Sequence, residues 1–238
     1  MQMKRRESIL LGVASLAASS VSAQQPAMEP SARPIRPEPE RGPRQELDLV
    51  KAFVQAGHGD QNIPKVKEFL ARDPKLIYAA WDWGGGDWET ALGGASHVGA
   101  RLMARFLLSQ GARIDAFCAA MLGQRKVAAA LVEADPGAAA ARGPHGYSLL
   151  YHAAISGDVA MADLLKPHLG PRDGAFNQAL PAAVRDGHLE MTKWLFENGE
   201  VNPNQEDALG RRPLAIARQK GFDEVAKELR KRGASEAL

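Results

Sequence analysis

The sequence predicts an all-α protein built from paired helices, and three observations lead to that class. Hydrophobic residues make up 45% of the 238 residues but aromatic residues only 6%, and alanine is abundant, which favours closely packed helices over a β-sandwich. A similar segment recurs along the chain, ending each time on a glycine that follows small residues. Beyond each glycine, apolar residues return four, seven or eight positions later, which is the spacing of one stripe along a helix.

The first 23 residues have the pattern of an export signal. Lys4, Arg5 and Arg6 precede a short apolar run, and the segment ends on the small residues 21–23. The run is far shorter than the ~20 residues that span a bilayer. The paired arginines resemble a twin-arginine signal, although Ser8 stands where that signal usually carries a large apolar residue, so the general secretory route stays open. We expect cleavage after residue 23 and a periplasmic or secreted protein.

Removal of residues 1–23 would take away three basic residues and one acidic residue, leaving 27 of each. No basic excess then remains to attract nucleic acid or an anionic membrane, so we expect neither nucleic-acid binding nor stable membrane insertion after cleavage. Residues 24–46 contain six prolines and few apolar residues, which predicts a semi-extended linker. Cys118 is the single cysteine, which excludes an intramolecular disulfide and a metal site built on several cysteines.

From residue 47 onward the chain is self-similar. Five copies align on a glycine between two helices, and an earlier copy runs from Leu49 to Leu70 with an insertion at its turn. The aligned glycines are Gly99, Gly123, Gly157, Gly187 and Gly221. The predicted second helices place one apolar stripe each toward the core; its members are Met103, Phe106, Leu107, Val127, Ala130, Leu131, Met161, Leu164, Leu165, Met191, Trp194, Leu195, Val225 and Leu229.

The register and the residues within it resemble the ankyrin repeat. The likeness is carried by GYSLLYHAAISG at 146–157, by ALPAAVRDGHLEMTKWLFENG at 179–199 and by GRRPLAIARQKG at 210–221 followed by FDEVAKELRKRGA. It implies an ankyrin-repeat solenoid of about six stacked helix-turn-helix units with short connecting hairpins, over residues 47–234, followed by a short tail at 235–238. Small residues on the first helices would let neighbouring units stack closely, and the charged last copy fits a cap.

Departures from the family pattern are also visible. The family's Thr-Pro-Leu-His helix start is degraded in every copy, for example to Thr90-Ala91-Leu92-Gly93. In the third copy Gly111 passes almost directly into Phe117, which leaves no room for a projecting hairpin. We therefore expect a notch in the edge of the array at that copy.

The segment WDWGGGDWET, residues 81–90, holds three of the four tryptophans. The repeat register places it in the hairpin between the first two helix pairs, with Thr90 at the start of a helix and three glycines forming a tight turn. Two interpretations stay open. The tryptophans cover the end of the early core, with Asp87 capping the following helix, or they form a contact surface, since tryptophan is enriched among binding hot spots.

The sequence offers no recognisable catalytic or metal motif. The six histidines are scattered through the copies, no set of ligands has a familiar spacing, and no paired carboxylates or serine elbow is present. His145 and His152 are close enough in sequence to approach one another, but no third ligand is evident. We therefore expect a protein that is not an enzyme, with no metal and no cofactor; a hydrolase or metal enzyme within the repeat frame is the less favoured alternative.

The resemblance implies a scaffold that binds another protein through its hairpins and the concave face of its first helices. The neutral charge after cleavage and the charged C-terminal cap lead us to expect a monomer. An accessory factor that stabilises a particular exported enzyme is a narrower form of the same function. The family's binding geometry, carried over position by position, points to a set of candidate contact residues: Trp81, Trp83, Asp87, Trp88, Glu89, His145, Tyr147 and Asn177.

Overall fold

A computed structural model describes residues 46–236 of the chain. The expected export signal and all but the last residue of the expected linker lie outside the described residues. Within 46–236 the chain is mostly helical, which confirms the all-α expectation. No helix in this range is both long enough and apolar enough to cross a bilayer.

Twelve α-helices of residues 46–236 follow one another as six consecutive pairs. The first helices of the pairs are α1 Leu47–Ala56, α3 Ala91–Val98, α5 Ala116–Met121, α7 Leu149–Ser156, α9 Gly174–Arg185 and α11 Pro213–Gln219. Their partners are α2 Ile63–Arg72, α4 Arg101–Ser109, α6 Arg125–Ala134, α8 Val159–Leu165, α10 Leu189–Asn198 and α12 Asp223–Lys231.

The packing follows the order of the chain. Each first helix contacts its own partner and the first helix of the next pair, from α1 through α11. The second helices α6, α8, α10 and α12 also contact one another in sequence. Because a single two-helix unit cannot bury its apolar stripe alone, the stability of such an array depends on contacts between neighbours.

Local sequence explains where the helices begin and end. The side chains of Thr90, Asp115 and Ser148 accept hydrogen bonds from backbone N–H groups in the first turns of α3, α5 and α7, which is what N-cap residues do. Gly99 and Gly157 follow α3 and α7 in the left-handed conformation, with φ of 78° and 72°, and so end these helices at little steric cost.

The predicted core is largely confirmed. The first-helix alanines and most members of the second-helix stripe are buried. The prediction of the buried face was wrong in the third pair. Helix α6 buries Ala128 and Val132, whereas the predicted Val127 and Leu131 are 36% and 37% exposed. Helix α6 packs on α5, the shortest of the α-helices in residues 46–236, and on this helix the small Ala128 takes the buried position.

The shortened third pair allows its two neighbours to meet. Only residues 110–115 connect α4 to α5, and α5 has six residues. The Tyr151 hydroxyl on α7 donates a hydrogen bond to the His97 carbonyl on α3 at 2.9 Å. The Arg101 guanidinium at the start of α4 donates to the Met121 carbonyl at 2.8 Å and to the Ile155 carbonyl at 2.7 Å. The second and fourth pairs are thus joined directly.

The tryptophan-rich segment forms a hairpin at the predicted place, between the first two helix pairs. Strand β1, Ala80–Asp82, pairs antiparallel with β2, Trp88–Thr90, with Trp81 opposite Glu89. Residues 84–86 are glycines with φ of 125°, 67° and 88°, a run that residues with side chains adopt only at a cost. The Asp82 carboxylate accepts hydrogen bonds from the backbone N–H groups of Gly84 and Gly86 and so fixes the turn.

Candidate functional site

A buried carboxylate lies at the base of this hairpin. The Glu89 side chain is 0% exposed. Its Oε2 accepts a hydrogen bond from the Trp83 indole N–H at 2.8 Å and lies 3.0 Å from His58 Nε2. Its Oε1 lies 2.9 Å from His97 Nδ1. A buried carboxylate is costly unless it is paired, and Glu89 has an indole and two imidazoles around it.

A third imidazole reaches the same carboxylate from the loop before α7. The Asp87 carboxylate accepts the backbone N–H of His145 at 2.8 Å, and its Oδ2 lies 2.6 Å from His145 Nδ1. These contacts hold His145 at φ 56° and ψ 21°, the one left-handed residue other than glycine in residues 46–236. The opposite ring nitrogen, Nε2, lies 3.7 Å from Glu89 Oε1.

Four side chains therefore converge, and we refer to them as the His/Glu cluster. One ligand atom from each lies within 4.8 Å of the others. The elements that supply them are the turn after α1, strand β2, helix α3 and the loop before α7. The members are His58, Glu89, His97 and His145.

The outer hydrogen bonds of two imidazoles define their tautomers. His58 Nδ1 lies 3.0 Å from the Gln55 carbonyl, which can only accept, so Nδ1 carries a proton. His145 Nδ1 faces the Asp87 carboxylate and donates to it in the same way. The Nε2 atoms face Glu89, and that of His58, at 3.0 Å, donates to the carboxylate while it is protonated. Loss of the Nε2 proton would leave on each ring a lone pair that a metal ion could bind. Metal-binding histidines typically show this arrangement, with the outer N–H held by a carbonyl or a carboxylate.

The electrostatics of the cluster are strongly coupled. Burial raises the pKa of the Glu89 carboxyl, but the interactions with His58 and His97 outweigh it and lower this pKa to about 2. Burial lowers the pKa of His58, but the hydrogen bond and the charge of Glu89, together with the Gln55 and Val54 carbonyls, raise it overall. Glu89 is therefore ionised, and the interaction with His58 compensates part of its charge.

Two atoms of the cluster have no hydrogen bond within the described part of the chain. Glu89 Oε1 and His97 Nδ1 are both buried, and they lie only 2.9 Å apart, yet their alignment does not make a hydrogen bond. The two side chains are 0% and 10% exposed, so water does not readily replace the missing partner. Buried polar atoms are nearly always hydrogen-bonded, and an exception at a cluster of ligand-type side chains needs an explanation.

The structure brings together five of the eight candidate contact residues. Glu89 and His145 belong to the His/Glu cluster, and Trp83 and Asp87 bind its members. Tyr147 stacks on His97 at a ring-centroid distance of 5.7 Å and on Tyr151 at 4.2 Å. One expectation was wrong: Asp87 does not cap α3, because Thr90 does, and the Asp87 carboxylate instead binds His145.

The other three candidates lie apart from the cluster. Trp81 is half-buried beneath Lys51, whose ammonium is 5.5 Å from the indole centroid. Trp88 is 61% exposed on strand β2. Asn177 on α9 accepts a hydrogen bond from the backbone N–H of Asn202 at 2.8 Å and so ties the segment after α10 to α9.

The remaining titratable candidates have structural surroundings. The thiol of Cys118 is buried, and burial raises its pKa to about 12, so it is not a reactive nucleophile. His152 is buried and donates from Nδ1 to the Ser148 carbonyl at 2.8 Å, away from the cluster. His188 Nε2 lies 3.0 Å from the Ile155 carbonyl and links α10 to α7.

A groove borders the cluster on the side of the first helices. It has a cavity volume of about 340 Å³ and is lined by His97, Tyr147, α7, α9 and the segment 205–211. Leu209, in that segment, is 75% exposed. A second cavity of about 320 Å³ lies between the hairpin and the loop before α7, and Trp88 forms part of its wall. The two grooves place exposed apolar side chains beside concave surfaces.

No protein-family model matches the sequence, and comparison with curated proteins finds no match.

Proposed function

We propose that this chain is an ankyrin-type repeat scaffold that, after export, binds another protein through its connecting segments and the face formed by its first helices. The repeat register, with a helix-turn glycine in each copy, and the stacking of consecutive helix pairs support this assignment. A rigid array of this kind presents a surface that is already formed, so little conformational entropy is lost on docking.

The observation that carries the proposal is the pair of exposed apolar side chains beside the two grooves. Trp88 is 61% exposed and Leu209 is 75% exposed, each in a connecting segment and each in the wall of a cavity. Side chains of this size on such segments add nothing to the helix packing. Their burial against a partner would contribute roughly 25 cal/mol for each Å² of apolar surface removed from water.

The groove beside α7 and α9 has the composition of a protein-binding surface. Tyr147 and Tyr151 form a stacked aromatic wall, and Arg185 on α9 lines the same groove. Tyrosine, tryptophan and arginine are the residue types that dominate binding hot spots. The partner segment that fits this surface presents an apolar side chain to the tyrosines and an acceptor group to the guanidinium.

Capture of binding partners by matched variants tests the proposal. Immobilised protein beginning at Gln24 is exposed to a cell-envelope extract, and we expect Trp88→Ala and Leu209→Ala each to reduce partner recovery at least about tenfold, the loss typical of a hot-spot residue. Leu102→Ala is the control, because Leu102 is 62% exposed on α4 and lines neither groove. Recovery that is equal for all three variants, with unchanged helical circular dichroism, would refute the assignment of this surface.

A further inference from the structure

The His/Glu cluster provides the ligand set of a transition-metal centre. We propose that it binds one divalent transition-metal ion, with Zn²⁺ as the best-fitting ion, through three imidazole nitrogens and one carboxylate. The proposal is independent of partner binding, since it concerns the base of the hairpin and not its exposed tip.

The donor atoms lie within a few tenths of an ångström of the spacing that this coordination requires. Tetrahedral Zn²⁺ with ligands at about 2.0–2.2 Å places neighbouring donor atoms about 3.3–3.6 Å apart. The carboxylate oxygens of Glu89 lie 3.0 Å from His58 Nε2, 2.9 Å from His97 Nδ1 and 3.7 Å from His145 Nε2. Small torsional adjustments of the four side chains would therefore bring one ion into contact with all of them.

The protonation states also suit a metal. His58 and His145 each use Nδ1 to donate outward, to the Gln55 carbonyl and the Asp87 carboxylate, so that Nε2 is the inward-facing nitrogen that an ion would bind once its proton is released. Asp87, His145 and the ion would form a carboxylate–histidine–metal relay, in which the outer carboxylate orients the ring and increases its basicity. The two carboxylates, Glu89 and Asp87, would balance the double charge of the ion.

The unpartnered atoms distinguish a metal centre from an ordinary buried ion pair. A hydrogen-bonded pair would align the N–H of one group with the oxygen of the other. Glu89 Oε1 and His97 Nδ1 instead lie 2.9 Å apart without a hydrogen bond. The Glu89 side chain is fully buried, and that of His97 is nine-tenths buried. Binding of one cation by both atoms would satisfy them together.

The ligand types select the class of ion. Imidazole-rich sites favour Zn²⁺, Cu²⁺, Ni²⁺ and Co²⁺, whereas Mg²⁺ and Ca²⁺ prefer oxygen ligands. All four protein ligands are consumed in a four-coordinate site, which is the arrangement of structural zinc centres. Such an ion would clamp the turn after α1, strand β2, helix α3 and the loop before α7 to one another.

The test measures metal binding directly on the purified full-length chain after removal of metal with a chelator. Titration with Zn²⁺ in competition with a chromogenic chelator should give one equivalent per chain, with Kd below about 1 μM, and Mg²⁺ should not compete. Co²⁺ should produce the intense visible absorption of a four-coordinate site. Absence of saturable one-to-one Zn²⁺ binding by the unaltered chain would overturn the proposal.

Variants locate the ion. His97→Ala removes a ligand and should weaken Zn²⁺ binding at least about 100-fold. Asp87→Asn, which changes only the outer partner of His145, should weaken it about 10- to 100-fold, as loss of such partners does elsewhere. His168→Ala is the matched control because His168 is exposed, lies directly after α8 and is on none of the elements that supply the cluster. Equal affinity in Asp87→Asn, His168→Ala and the unaltered chain, with the helical spectrum retained, would mean that the ion binds elsewhere and would refute the site.

Discussion

At the scale of single residues, Glu89 connects the hairpin to the histidines. The sequence analysis placed Glu89 and His145 among the contact residues of two different hairpins, and it predicted no metal ligands. His58 and His97 were missed because they lie in different copies and form no recognisable ligand spacing. A signal was nevertheless present: each precedes the helix-turn glycine of its copy by one or two positions, so stacking of consecutive copies brings them together, with ring centroids 5.1 Å apart.

The effect of burial on the pKa of His152 can be tested by the pH dependence of stability. Burial lowers its pKa to about 4, from 6.5 for a free imidazole, because the ring is enclosed and its Nε2 has no hydrogen-bond partner within residues 46–236. As the pH falls from 6.5 toward 4, the unfolded state takes up a proton that the folded state does not. The difference destabilises the fold by about 3 kcal/mol once the pH is below both values.

We therefore expect His152→Asn to flatten the loss of stability between pH 6.5 and pH 4. The asparagine amide can keep the hydrogen bond to the Ser148 carbonyl, and it does not titrate in this range. Urea unfolding at a series of pH values measures the effect as the difference in slope between variant and unaltered chain. Parallel stability curves across this range would show that His152 does not titrate as its burial implies.

At the scale of elements, helix α3 is adapted to the side chains packed against it. Glycine in a helix costs roughly 0.5–1 kcal/mol relative to alanine, and α3 contains two, Gly93 and Gly94. A Cβ atom on Gly94 would lie 3.0 Å from the His58 ring, which is held by Gln55 and Glu89. The sequence predicted the helix but not this reason for its glycines, because the neighbour that imposes it lies in the preceding copy.

Gly94→Ala should consequently destabilise the protein by about 1 kcal/mol, because displacement of His58 outweighs the gain in helix propensity. The same displacement should weaken Zn²⁺ binding about tenfold. Gly174→Ala is the control, since a Cβ there meets no atom within 4 Å and the substitution should be neutral or stabilising. Chemical denaturation and Zn²⁺ competition measure both effects; a stabilised Gly94→Ala with full affinity would contradict this account.

The hairpin shows which structural details the sequence could supply. The turn at residues 84–86 and the helix start at Thr90 were predicted because glycine and N-cap preferences act within a few residues. The hydrogen-bond partner of Asp87 was not predicted, because the His145 N–H that it accepts is 58 positions away in the sequence. Similarly, the predicted buried face of α6 was wrong, because packing on the short α5, and not the periodicity of α6 itself, determines which side of α6 faces inward.

At the scale of the whole molecule, the proposed ion links elements from three of the six helix pairs in the described chain. A ligand that binds only the folded state stabilises it by about 2.7 kcal/mol when its concentration is 100 times Kd. For a domain of about 190 residues this corresponds to a rise in Tm of roughly 5–10 °C.

We therefore expect Zn²⁺ to raise the Tm of the unaltered chain by that amount and to leave the Tm of the Glu89→Gln variant nearly unchanged. The glutamine amide can still accept the Trp83 hydrogen bond, but it is a poor metal ligand. Differential scanning calorimetry with and without Zn²⁺ measures both shifts. An equal rise in Tm for the two proteins would indicate that the ion stabilises the fold from another position.

The direct bonds between the second and fourth helix pairs alter how the array comes apart. In a one-dimensional array with contacts only between adjacent units, the ends fray and unfolding spreads inward one unit at a time. Here Arg101 and Tyr151 bridge over the third pair, so that pair cannot open without breaking the bonds that span it. We therefore expect the second, third and fourth pairs to unfold as one cooperative block, and gradual unravelling to be confined to the pairs outside it.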